Sequence, residues 1–223
     1  MNYYPLIIVV VIAILNWIAV EKKWKALEYV TKPGTMLALL FWMWQSAGLG
    51  GSMLWFTLGA VFCMAGDVFL MLPWDMFIFG LLAFLVGHIC YVIGLNTMAP
   101  YFSLLGAFLI VILGFFIWWV YRKLAGGLDA KGKTSLKAPV LIYSMVISLM
   151  VYSALMTWTR PDWSSIAALF ASLGAILFYA SDSLLAWDRF VNPLSHARLK
   201  VMTTYHLGQI GILLGAMLHA LGK

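Results

Sequence analysis

Long apolar blocks separated by short polar, proline- or glycine-bearing breaks fill almost the whole chain. A helix crosses a hydrocarbon core in roughly 20 residues at about 1.5 Å rise per residue. By that measure eight helices are predicted, at about 3–20, 34–49, 52–72, 75–97, 101–121, 139–158, 163–186 and 201–221, the second being the shortest. Pro33-Gly34, the GLGG run at 48–51, Pro73, Pro100, Gly126-Gly127, Pro139, Pro161 and Pro193 mark the breaks. No basic segment precedes the first block and no small-residue cleavage site follows it before Glu21, so it reads as a membrane helix and not a signal peptide. Without a long linker, low-complexity segment or internal repeat, the expectation is one integral membrane domain over 1–223, an all-α polytopic bundle of about eight helices.

Composition strengthens this reading. Of the 223 residues, 64% are hydrophobic and 10% charged, and the mean hydropathy is +0.97. A soluble domain of this length would need a polar shell the chain does not possess. The net charge of +6 would suggest nucleic acid in a soluble protein. Here Lys22, Lys23, Lys25 and Lys32, then Arg122, Lys123, Lys131, Lys133 and Lys137, then Arg189, Arg198 and Lys200 fall on alternate loops, against Arg160 and Lys223 on the others. The positive-inside rule accounts for that pattern without a polyanion partner and puts both termini on the non-cytoplasmic side. Compact loops and the lack of an organellar signal point to a bacterial inner membrane.

Against this background two carboxylates stand out, Asp67 in GAVFCMAGDVFLML and Asp182 in GAILFYASDSLLAWDR. An ionisable residue inside a span costs about 2.5–3.5 kcal/mol on insertion scales, faces the bundle interior and marks function by default. With the N-terminus outside, helices three and seven run in the same direction, and both carboxylates lie roughly 7 Å from the cytoplasmic boundary. Thr204, Tyr205, His206 and Gln209 of helix eight share that layer, and His88 and Tyr91 of helix four lie nearer the midplane. Each has a plainer reading as a satisfied interior hydrogen-bonding group. Phe178, Ala175, Ala171 and Ala168 behind Asp182, and Cys63, Ala60, Gly59 and Gly66 around Asp67, are the small or apolar faces expected of close helix packing.

Other chemistries fit poorly. No G-x-S-x-G elbow surrounds a serine, and Ser181 and Ser183 flank Asp182 without a triad base. His88, His196, His206 and His219 have no zinc-type spacing, Cys63 and Cys90 do not complete a ligand set, and no phosphate loop is present, so neither metal nor cofactor is expected.

Five motifs in order, TKPGTMLALL, AGDVFLML, FLVGHICYVIG, GAILFYASDSLLAWDRFVNPLSHAR and MTTYHLGQ, make residues 32 to 210 resemble the lysoplasmalogenase (YhhN-like) family. The resemblance implies a multi-pass ether hydrolase that cleaves the vinyl ether of lysoplasmalogens to a fatty aldehyde and a glycerophospho-choline or -ethanolamine. Protonation of such a bond gives an oxocarbenium-like cation, as in glycoside hydrolysis, where paired carboxylates divide the work. Low dielectric and a like-charged neighbour would hold one carboxyl protonated and leave the other ionised. The expectation is that Asp182 is the acid and Asp67 stabilises the cation and orients water. Lys32 is the first candidate for the lipid phosphate, with Arg189 and Arg198 as helpers. Ser181, Tyr205, His206, Gln209, His88 and Tyr91 are candidates to orient the glycerol hydroxyl or a water. Partners are then a lysophospholipid substrate and membrane lipid, with no nucleic acid; oligomeric state leaves no sign in the sequence. The competing readings are a proton-coupled transporter and a non-enzymatic lipid-binding protein.

Overall fold

A computed structural model describes residues 4–97 and 103–222, so Pro100 and Lys223 lie outside the described residues. Those described form eight α-helices: α1 (Tyr4–Glu21), α2 (Lys25–Ala47), α3 (Leu54–Met71), α4 (Phe77–Leu95), α5 (Leu104–Ala130), α6 (Lys137–Met156), α7 (Ser165–Phe190) and α8 (Ala197–Ala220). Three single 3-10 turns precede α3, α6 and the α6–α7 loop. Every helix but α2 yields a span long and apolar enough to cross a membrane, making this an integral multi-pass membrane protein.

Contacts between helix ends fix an alternating up-and-down arrangement. Tyr29 near the start of α2 donates to the Met71 carbonyl at the end of α3 (3.0 Å), and Arg189 at the end of α7 pairs with Asp75 just before α4 (2.8 Å). Lys131 after α5 donates to the Arg189 carbonyl (2.7 Å), and His196 before α8 meets Glu21 at the end of α1 (2.8 Å). This end, called the basic end below, also carries Lys22, Lys23, Lys133, Lys137, Arg198 and Lys200. At the other end Arg160 is buried against the Leu95 carbonyl that closes α4 and reaches Asn96 (2.8 Å), and His219 of α8 stacks on Trp163 (ring centroids 4.2 Å).

Several predicted boundaries move. α2 begins nine residues earlier than its apolar block and runs through Pro33. Proline there withholds a donor from the ladder, and the Thr31 and Thr35 hydroxyls bond back to the Leu27 and Thr31 carbonyls (2.7 and 2.8 Å). The charged first turns of α2 are tolerated because Glu28 pairs with Arg198 of α8 and Lys32 with Asp67 of α3. α5 continues through Gly126-Gly127 to Ala130, and the chain turns at Gly132, whose φ is +66°. Gly127 is required by packing instead of by a turn, since a Cβ there would collide with the Phe190 carbonyl. α7 ends at Phe190, one turn beyond its expected end, and α6 takes Pro139 into its first turn.

α7 and α8 form the closest helix pair. A Cβ on Gly211 would lie 2.7 Å from Gly174 Cα, one on Gly208 2.8 Å from Phe178 N, and one on Gly215 2.6 Å from Ala171 N. Small residues allow such backbone approach where lipid supplies no hydrophobic drive for association. Ala167, Ala171, Ala175 and Phe178 on the facing side of α7 are fully buried. α3 and α4 pair similarly, with Gly66 under the Phe84 ring and Gly87 against Cys63 Sγ, contacts of 2.7 Å for an added Cβ. The first pair carries Asp182 and Tyr205, and the second carries Asp67 and His88. Gly211→Leu is therefore expected to force α7 and α8 apart and destabilise the purified protein by about 1–3 kcal/mol or more. Gly114→Leu, at an open position on α5 with nothing within 4 Å of the added Cβ, should leave the thermal midpoint in detergent unchanged.

Candidate active site

α3 and α7 deliver Asp67 and Asp182 to the wall of one cavity of about 490 Å³. Lys25, Glu28, Tyr29, Asp188 and Arg198 line its mouth at the basic end, and Phe84, Met202 and Tyr205 line it further in. The cavity thus passes from charged to aromatic walls with the two carboxylates between. Its mouth is built by α2, α7, α8 and the residues that follow α3, elements whose long polar side chains project from helix ends.

The carboxylates have different surroundings. Asp67 is 1% exposed; its Oδ2 accepts from the Tyr205 phenol (2.6 Å), and Lys32 Nζ lies 3.1 Å from its Oδ1. The Lys32–Asp67 contact is an ion pair. Two charges buried like this are stable only together, because removing one partner of such a pair costs about 3–5 kcal/mol. Asp182 is the more accessible, its side chain 13% exposed. Its Oδ2 accepts a short hydrogen bond from the Tyr143 phenol of α6, and His88 Nε2 of α4 lies 3.3 Å from the same oxygen and 2.9 Å from the Tyr143 oxygen. Phe178 separates the two sets, edge-on to His88 (4.6 Å between ring centroids) and to Tyr205 (5.2 Å).

The structure brings Lys32, Asp67, Ser181, Asp182 and Tyr205 to the cavity wall. The Ser181 hydroxyl there already donates to the Val201 carbonyl (3.0 Å), tying α7 to α8. His88 stands behind Asp182 and orients it. Tyr91 and Gln209 lie away from the wall, fully buried and joined by a 2.6 Å hydrogen bond from the phenol to Gln209 Oε1. His206 turns toward α1, where its Nδ1 accepts from the Trp17 indole (3.0 Å). Arg189, outside the cavity lining, stacks over the Phe77 ring at 4.2 Å.

Tyr143 is the residue sequence reading missed. Two signals pointed to it. α6 enters the bundle from the basic end with Tyr143 six residues beyond Lys137, a depth like that of Asp182, which lies eight residues before the end of α7. Ser144 and Ser148 also make this stretch of α6 more polar than its neighbours. Among the described residues no group of three or more His, Cys, Asp or Glu side chains is placed to share a metal ion.

The chemistry available is that of two carboxyl groups facing one cavity, one next to an ammonium and one next to an imidazole and a phenol. Similar proteins are known. The chain is 31% identical over 217 residues to lysoplasmalogenase TMEM86B of Mus musculus, covering 96% of this chain and 85% of that one. To the human TMEM86B lysoplasmalogenase it is 31% identical over 207 residues, 90% of this chain and 80% of that one. A lysoplasmalogenase of Mycobacterium bovis is 27% identical over 177 residues, 75% of this chain and 62% of that one. No solved structure matches. The YhhN family description matches residues 27–216, a range that contains both aspartates and every side chain that touches them, and the chain belongs to the YhhN family.

Proposed function

We propose that this protein hydrolyses the vinyl ether bond of lysoplasmalogens, releasing a fatty aldehyde and a glycerophospho-choline or -ethanolamine, with Asp182 as general acid and Asp67 as the anion. The observation that carries the reading is the placing of both carboxylates on one cavity with unlike partners. The names of the relatives supply the substrate.

Asp182 transfers a proton to the β-carbon of the vinyl ether. The alkene electrons form that C–H bond, and positive charge develops on the α-carbon and the ether oxygen. Tyr143 and His88 converge on Oδ2, which leaves Oδ1 to carry the proton toward the cavity. As Asp182 becomes anionic, the same two donors stabilise the charge it acquires. His88 must then carry its own proton on Nε2, a tautomer assigned from these contacts. Asp67, beside Lys32 and Tyr205, acts as the anion that stabilises the cation electrostatically. Water adds to the α-carbon and returns a proton to Asp182. The resulting hemiacetal collapses as its hydroxyl proton reaches the leaving glycerol oxygen, so the enzyme ends as it began.

Lys32 serves this scheme by neutralising Asp67, and the lipid phosphate falls to Lys25 and Arg198 at the mouth. The scheme puts the phosphate at the cytoplasmic interface and the vinyl ether deeper in the bundle. Protein purified in detergent is expected to release aldehyde from a lysoplasmalogen and none from a saturated ether lysolipid, with no loss on adding a chelator. Asp182→Asn and Asp67→Asn should each lower turnover by about 100-fold or more, and Asp67→Asn should also lower the thermal midpoint because it leaves Lys32 buried and unpaired. Retained turnover in both variants would contradict the assignment. Lys25→Ala is expected to raise KM several-fold with kcat nearly unchanged, the signature of lost uniform binding; an unchanged KM would remove Lys25 from the headgroup site.

A further inference from the structure

We infer that the alkenyl chain of the substrate leaves the site sideways, through an apolar passage beside Asp182, into a groove between α5 and α7 that opens to the bilayer. The inference rests on the proposed reaction and names where that substrate's tail lies. In a vinyl ether the carbon that takes the proton is the carbon joined to the tail, so the tail begins at the acid. It needs an apolar exit at the level of Asp182, away from the charged mouth.

Such an exit exists. A void of about 60 Å³ lies against Asp182 and is walled by Tyr143, Ile147, Leu81 and Leu124, with Leu70, Phe84 and Leu185 shared between it and the polar cavity. It is too small for a whole tail. On its other side Val120, Tyr179 and Ser183 are shared with a groove of about 640 Å³, lined by Ile112, Phe116, Trp119, Ile176 and Trp187 among others. Polar cavity, void and groove thus adjoin in sequence, with Asp182 in the wall at the first junction and Val120, Tyr179 and Ser183 at the second.

α5 is built to leave this groove open. Its buried residues are Gly106 near its start and Val120, Leu124 and Leu128 in its second half. Those three pack with Phe77, Val140 and Phe190 near the basic end, where Gly127 also meets the Phe190 carbonyl. Toward the other end α5 shows Phe108, Ile110, Val111, Ile112 and Phe115 to the lipid side. Across the groove Phe116 meets Tyr179 (5.6 Å between ring centroids) and Trp119 stacks on Trp187 (6.0 Å). Tyr179 is steadied by the Ser148 hydroxyl at 3.3 Å. From Trp187 to Ile176 the groove follows α7 for about 16 Å at the helical rise, room for most of one chain lying along the helix. One tail and one groove also suit a lysolipid better than a two-chain phospholipid.

The test compares a hexadecenyl with a butenyl lysoplasmalogen in wild-type protein, in Val120→Trp and in the control Leu149→Trp, whose side chain faces the lipid on α6. Blocking the second junction is expected to lower the long-to-short ratio of kcat/KM by about tenfold, the loss of burying roughly two methylenes, while the control keeps the wild-type ratio. A wild-type ratio in a folded Val120→Trp would overturn the passage and leave the reaction standing. No turnover of either substrate by the wild type would remove the reaction and this inference with it. Because Val120→Trp could unfold the basic end of α5, wild-type protein is also photolabelled with a saturated ether lysolipid carrying a diazirine near the end of its tail. Labels on α5 and α7 around Phe116, Tyr179 and Ile176, competed by lysoplasmalogen, are expected. Labels confined to α1 or α2 would overturn the inference.

Discussion

The rest of this bundle depends on the cost of holding two carboxylates where lipid and protein exclude water. A lone buried anion is too costly to keep, so each aspartate is met by side chains from other helices. Asp67 of α3 takes an ammonium from α2 and a phenol from α8, and Asp182 of α7 takes a phenol from α6 and an imidazole from α4. Six helices, all but α1 and α5, are thereby committed to one register, with α7 and α3 each held in place by what its carboxylate requires. The glycine contacts between α7 and α8 and between α3 and α4 bring those partners within reach. Packing and polar satisfaction point to the same geometry, which is what a single well-defined site needs.

The same constraint gives the carboxylates unlike neighbours. Asp67 meets the Lys32 ammonium and the Tyr205 phenol, whereas Asp182 meets the Tyr143 phenol and the His88 imidazole. The proposed division into acid and anion rests on that difference. His88 and Tyr143 stand off the polar cavity's wall, whereas Lys32 and Tyr205 share that wall with Asp67. On the polar side Lys25 and Arg198 line the mouth, and on the apolar side a small void adjoins Asp182 next to α5.

Much of the architecture was legible because hydropathy blocks and basic loops are one-dimensional signals. The helix count and the shared level of Asp67 and Asp182 follow from them. The start of α2 was hidden because Lys25, Glu28 and Lys32 look like loop residues until Arg198 and Asp67, far along the chain, neutralise two of them. Gly126-Gly127 read as a break because the Phe190 backbone that presses on Gly127 belongs to a helix sixty residues away. Likewise the Lys32–Asp67 ion pair joins residues far apart in the chain, a contact that only the third dimension makes. Tyr143 went unnoticed because tyrosine in an apolar helix is ordinary; its depth relative to Asp182 was the available clue. His206 and Gln209 stood out as polar residues in the right layer, yet helix rotation turns the first to Trp17 and the second to Tyr91.

The central claim is that a carboxylic acid protonates carbon. Running the reaction with a lysoplasmalogen in deuterium oxide and analysing the aldehyde by mass spectrometry tests it most directly. One deuterium at the carbon next to the aldehyde group, together with a solvent isotope effect on turnover, is the expected result. Deuterium spread equally over both faces of that carbon, with no solvent isotope effect, would show that a released enol took its deuteron from solvent and would contradict the account.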